Sequence, residues 1–140
     1  MNKKELLKEI QDDVFTRLKP SSIEGVGVFA IKPIPKGTNP FRGDTREVDY
    51  VEFKPEELDC EPEIKRYIQD MCVFEDGVYY LPDVGVSAFT QGWYLNHSKE
   101  PNMATEDGGD QFIAIRDIEV GEELVINYGT YNQEEDVFNR

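Results

Sequence analysis

The chain is short of the residues that staple small domains together. It has one histidine and two cysteines in 140 residues. A single imidazole and two thiols cannot build a Cys/His zinc cage, and two cysteines close at most one bridge, which is no disulfide framework. Cys60 and Cys72 are therefore expected as unpaired thiols in a reducing compartment. No stretch approaches the roughly 20 apolar residues of a membrane-spanning helix. The opening "MNKKELLKEIQDD" also lacks the apolar core of a secretory leader, so a cytoplasmic protein away from membranes is expected. Positive charge is scarce beyond residue 43. Residues 1–43 hold 8 basic and 5 acidic groups, whereas 44–140 hold 7 and 24, for a net charge of −14. A field of that sign repels nucleic acid and favours a basic protein or peptide as partner.

What is present suits one globular domain with a genuine core, since 39% of the residues are hydrophobic. Leu6, Leu7, Ile10 and Val14 recur at helical spacing, and Asn2 is a capping residue, which predicts a short amphipathic helix over 3–12. "VFTRLK" at 14–19 and "VGVFAI" at 26–31 read as strands joined by the turn-prone "PSSIEG". From Asp44 to Asp76 the composition turns acidic, with 12 acidic and 4 basic residues. This segment reads as an inserted lobe, with a helix opened by Pro62 in "PEIKRYIQD". "CVFEDGVYYLP" predicts a hairpin turning at Asp76-Gly77, and "QFIAIRDI" and "ELVINY" are further strands. Many short strands and few helices point to a mainly β fold.

"GVGVFA" at 25–30 matches the dinucleotide-binding pattern G-x-G-x-x-A. That pattern needs a helix to begin at the glycines so that phosphate meets its N-terminus. Pro33, Pro35 and Gly37 follow at once and forbid the helix. What survives is a pair of glycines that lets backbone approach something closely, leading into a strand.

Two further segments give that pair a context. "YLNHSKEPN" at 94–102 holds the only histidine, and "GEELVINYG" at 121–129 places a tyrosine beside a glycine. In this order and at these separations, "GVGVFA…IPKG", "YLNHSKEPN" and "GEELVINYG" resemble the SET-domain family of protein lysine methyltransferases, over roughly residues 15–131.

The resemblance implies a fold of several small curled β-sheets with a C-terminal pseudoknot that brings "NHS" and "NYG" together. It implies one domain over 1–140, with a variable insert at 44–92 and a tail at 132–140. It implies methyl transfer from S-adenosylmethionine to the side-chain amine of lysine in a protein substrate. Asn96 and His97 would grip the cofactor, with the backbone of Gly25, Gly27 and Val28 against its methionine end. Tyr128 would be the catalytic tyrosine, in contact with the cofactor as well. Tyr94 and Tyr131, which flank the matched motifs, are the expected walls of the lysine channel. Trp93, Tyr79, Tyr80 and Phe138 are weaker candidates.

The sequence departs from the family in places. Many relatives carry a cysteine after "NHS" and three more after the catalytic tyrosine, together binding a zinc that closes the channel. Here Lys99 and "TYNQEEDVFNR" stand instead, so no metal site is expected, and Phe138 is the tail's apolar group for folding over the site. Trp93 and Asn127 replace a frequent arginine and aspartate. Two rival readings remain beside the enzyme: a SET-like module that binds without turnover, and an acidic interaction protein that neutralises a basic partner. Either a monomer or a homo-oligomer is compatible with all of them.

Overall fold

The computed structural model describes residues 1–106 and 111–130, without the side chain of Thr130. Among the described residues the architecture is three small sheets with two helices at their edges. Helix α1 runs Lys3–Asp12, as the spacing predicts, and Asn2 caps it by accepting a hydrogen bond from the Glu5 backbone N–H. None of its residues is buried, and Leu6, Leu7 and Ile10 face outward. Tethers at its C-terminal end hold it in place. Lys32 Nζ donates to the carbonyls of Gln11 and Asp12, and Arg42 pairs with Asp13.

The first sheet has strand order β1 (Thr16–Pro20), β2 (Val26–Ala30), β9 (Glu123–Ile126), β6 (Asn96–His97). β1 starts two residues later than the sequence suggests, because α1 and its cap run to Asp13 and leave only a short connection. Central strand β9 is buried on both faces at Leu124, Val125 and Ile126, which accounts for its unbroken apolar run. Leu124 and Ile126, with Phe15, Val28, Ala30, Ile34, Leu95, Met103, Ala114 and Ile118, make up the main core.

The acidic insert forms a separate layer. β3 (Tyr50–Phe53), β5 (Val78–Pro82) and β4 (Val73–Glu75) make an antiparallel sheet, and α2 (Pro62–Met71) opens with Pro62 in its first turn. The β4–β5 hairpin turns at Asp76 and Gly77, whose φ values of 53° and 80° are the positive ones a tight hairpin turn requires. Ile68, Cys72, Tyr79 and Leu81 build a second core beneath it, and Trp93 packs against that core. Both cysteines are free thiols, and burial pushes the Cys72 thiol up to about 12. β7 (Met103–Glu106) pairs with β8 (Gln111–Ala114). β8 is shorter than "QFIAIRDI", because the chain bends at Ile115–Arg116 and Ile118 instead bridges to Ile34. No helix among the described residues is long and apolar enough to cross a membrane.

Candidate active site

The three separated motifs occupy neighbouring strands of one sheet. "GVGVFA" becomes β2, "GEELVINYG" becomes β9 and "NHS" begins with β6. β9 lies between the other two, antiparallel to β2 (Val28 opposite Leu124) and parallel to β6 (Asn96 opposite Val125, His97 opposite Ile126). Ser98 N–H donates to the Ile126 carbonyl and extends the β6 ladder.

One buried side chain holds this arrangement together, and the sequence alone did not single it out. Asn102 closes "NHSKEPN" and is 2% exposed. Its Nδ2 donates to the Glu123 carbonyl and its Oδ1 accepts from the Val125 N–H, both at 2.8 Å. The carboxamide thus acts as a surrogate strand edge for β9.

His97 and Tyr128 form the next contact. The Tyr128 backbone N–H donates to His97 Nδ1 at 3.1 Å, and the two rings lie 5.3 Å apart between centroids. A ring nitrogen that accepts a hydrogen bond carries no proton, so His97 is neutral with its proton on Nε2. Burial, aided by the Lys99 charge, holds its pKa below the ordinary imidazole value. The Tyr128 phenol in turn donates to the carbonyl of Leu95, the residue just before Asn96. Backbone and side chain of Tyr128 are therefore both fastened to the segment 95–97.

On the glycine side, Asn96 Nδ2 faces the carbonyls of Glu24 and Val26 at 3.2 Å and Glu123 Oε2 at 2.9 Å. Ser21 Oγ donates to Glu123 Oε1 at 2.7 Å. Gly25, with φ of 48°, completes the β1–β2 turn through its carbonyl, which accepts from Ser21 N–H. Gly27 has a different reason for being glycine. A Cβ there would lie 2.3 Å from Glu123 Oε2, so the space beside it is taken by a side chain of this chain. Val28 is fully buried and turns its side chain into the core, leaving only backbone for any ligand.

A cavity of about 950 Å³ lies beside Tyr128. Tyr128 and Leu95 line it, while Asn96, His97, Gly25 and Gly27 do not. Its aromatic walls are Phe41, Tyr50, Tyr80, Trp93 and Phe112. Tyr94, the wall expected from its place beside the motif, instead packs against the main core and does not line the cavity. The physical reason is the 3₁₀ turn Gln91–Tyr94, in which successive side chains point about 120° apart, so Trp93 faces the cavity in place of its neighbour. Tyr80 and Trp93 were weaker expectations, whereas Phe41, Tyr50 and Phe112 carried no signal because they sit outside the motifs. Tyr79 is buried in the second core. Tyr131 and Phe138 lie outside the described residues.

Asp49, Asp70 and Glu75 also line the cavity. Its two arginines are both paired, Arg42 with Asp13 outside the cavity and Arg46 with Asp44, a fourth acidic residue of the lining. Among the described residues no three His, Cys, Asp or Glu side chains converge on a point where a metal ion could sit.

Comparison with known proteins agrees with this geometry. The sequence model of the SET domain matches residues 25–129, a span that contains all three strands. A search of curated protein sequences finds no match. Among solved structures, one from Plasmodium falciparum, assigned as a histone methyltransferase, is 22% identical with a TM-score of 0.51, covering 83% of this chain and 94% of that one. A humanized mutant of the Chaetomium thermophilum Polycomb Repressive Complex 2 bound to the inhibitor GSK126 is 20% identical with a TM-score of 0.53. The match covers 91% of this chain and 16% of that chain. The same complex in an autoinhibited conformation, bound to S-adenosylmethionine, is 19% identical with a TM-score of 0.51, over 98% of this chain and 18% of that one. At these identities the likeness is one of fold.

Proposed function

The chain belongs to the SET-domain family, and on that footing we propose that it transfers a methyl group from S-adenosylmethionine to the side-chain amine of lysine in a basic protein substrate. S-adenosylmethionine, the cofactor of SET methyltransferases, supplies an electrophilic methyl on a sulfonium when bound. The glycine side suits the cofactor's ammonium and sulfonium charges: it offers the Asn96 carboxamide oxygen, with the Glu123 carboxylate behind it holding Asn96 Nδ2. Asn96, His97 and the backbone of Gly25, Gly27 and Val28 would hold it.

The observation that carries the proposal is the place of Tyr128. It is bonded to the 95–97 segment and also lines the aromatic cavity, so one phenol links the Asn96–His97 segment to that cavity. Lysine, with a pKa of about 10.4, is neutral in only about one molecule in 2,500 at pH 7, a cost of roughly 4–5 kcal/mol. Aromatic walls lower that cost by excluding water, which disfavours the ammonium. A phenol whose proton is committed to the Leu95 carbonyl turns an oxygen acceptor towards a neighbouring amine or cation. Tyr128 thereby orients the nucleophile and needs no strong base beside it. The acidic wall of Asp49, Asp70 and Glu75 supports a substrate with positive charge around its lysine.

Titration with S-adenosylhomocysteine tests the reading. Ligand at 100 times its Kd should raise stability by about 2.7 kcal/mol, seen as a higher melting temperature. An unchanged melting curve would favour a protein that only neutralises a basic partner.

A further inference from the structure

We propose that Glu123 is a positioning residue for the cofactor pocket: its carboxylate clamps the glycine turn to Asn96, and Gly27 is glycine to make room for it. The inference rests on the reading that the glycine turn and Asn96 hold the methionine end of the cofactor.

The clamp joins three stretches of chain. Glu123 opens β9, Ser21 opens the β1–β2 turn and Asn96 opens β6. Oε1 accepts from the Ser21 hydroxyl and Oε2 from Asn96 Nδ2. The same Nδ2 faces the Glu24 and Val26 carbonyls, which flank Gly25. Three oxygen acceptors around one nitrogen fix the sense of the carboxamide. Turned over, its oxygen would face a carboxylate and two carbonyls, all of which repel it. Asn96 Oδ1 accepts no hydrogen bond among the described residues, which leaves it as the acceptor for an ammonium group. Glu123 thus sets which atom of Asn96 meets the ligand without touching the ligand itself.

The carboxylate needs the space that a side chain at position 27 would fill. A Cβ on residue 27 would sit 2.3 Å from Oε2, 2.7 Å from Cδ and 3.2 Å from Asn96 Nδ2. The carboxylate is the far end of a flexible side chain, so Gly27→Ala would push it aside and break the clamp while sparing the sheet. The sequence alone suggested that the glycine lets a ligand approach; the structure assigns the space to Glu123.

The test uses two ligands and one mutant cycle in the full chain. S-adenosylhomocysteine carries the amino-acid end, and 5′-methylthioadenosine lacks it. Losing an oriented charge-assisted contact should raise the S-adenosylhomocysteine Kd about tenfold for Glu123→Ala and for Gly27→Ala, and the 5′-methylthioadenosine Kd by less than about twofold. Once the carboxylate is gone the alanine methyl meets only Asn96 Nδ2, at 3.2 Å, a contact relieved by a shift of a few tenths of an ångström, so the double variant should bind little worse than Glu123→Ala. Ser21→Ala, which removes one clamp contact, should give a smaller loss with the same ligand selectivity and serves if Glu123→Ala does not fold. Parallel weakening of both ligands, or a full Gly27→Ala penalty added to that of Glu123→Ala, overturns the clamp. Binding of neither ligand by the wild type overturns the cofactor assignment and the clamp with it.

Discussion

The backbone N–H of Tyr128 points at Nδ1 of His97, 3.1 Å away, so the position of the tyrosine depends on the protonation state of the histidine. A proton on Nδ1 would turn an acceptor into a donor facing a donor.

This sets a pH dependence. Burial and Lys99 depress the folded-state pKa of His97 below its unfolded value of about 6.5. The unfolded chain therefore binds the proton first, and the histidine's contribution to stability is complete above about pH 6.5 and declines as pH falls through the folded pKa. Melting temperatures measured from pH 8 to 5 should fall on the acid side, and His97→Gln should flatten that part of the curve. An equal acid slope in the variant would remove His97 as the cause.

Asn102→Ala should be among the more damaging single changes in the first sheet. It would strip the Val125 N–H and the Glu123 carbonyl of their partner in the interior. Two unsatisfied groups, each costing roughly 1–3 kcal/mol, predict a loss of several kcal/mol by urea denaturation. Asn102→Asp should also destabilise, because a carboxylate cannot donate to the Glu123 carbonyl.

The cavity walls and the cofactor side should separate in their effects. Trp93→Ala and Phe112→Ala open the aromatic cavity without touching Asn96 or the glycine turn. Methyl transfer should fall by about a hundredfold or more as water enters, while the S-adenosylhomocysteine Kd stays within about threefold of the wild type. Tyr94→Phe, which alters a side chain packed on the core, should leave both measurements near their original values.

Charge on the cavity wall should act on substrate affinity and on salt dependence together. Asp49→Asn combined with Glu75→Gln removes two carboxylates from the lining. KM for a basic peptide should rise and its dependence on ionic strength should weaken, with kcat little altered. A KM unmoved by both the mutations and salt would mean that the wall does not meet the substrate.

Much of this was legible in the sequence because local chemistry decides it. Spacing and the Asn2 cap define α1, Pro62 opens α2, Asp76-Gly77 turns the β4–β5 hairpin, and the prolines after Ala30 forbid a nucleotide-binding helix. The ordered motifs identified the elements that hold Asn96, His97 and Tyr128. What stayed hidden depends on pairing between distant segments. Glu123 reads as one more acidic residue near a turn, and only the placement of β9 between β2 and β6 brings it to Gly27, Ser21 and Asn96. Asn102 looks like a loop residue until β9 runs beside it. The cavity wall turned on which way a 3₁₀ turn faces, and neither helical nor strand periodicity reports that.

The most direct test of the central claim is to incubate the protein with labelled S-adenosylmethionine and a panel of basic proteins, then map the modified residue by mass spectrometry for wild type and Tyr128→Phe. The account predicts a methyl on a lysine side-chain nitrogen with the wild type. With the variant it predicts a loss of at least about a hundredfold, cofactor binding being retained. Label that reaches no lysine, or reaches it as fast without the phenol hydroxyl, would contradict it.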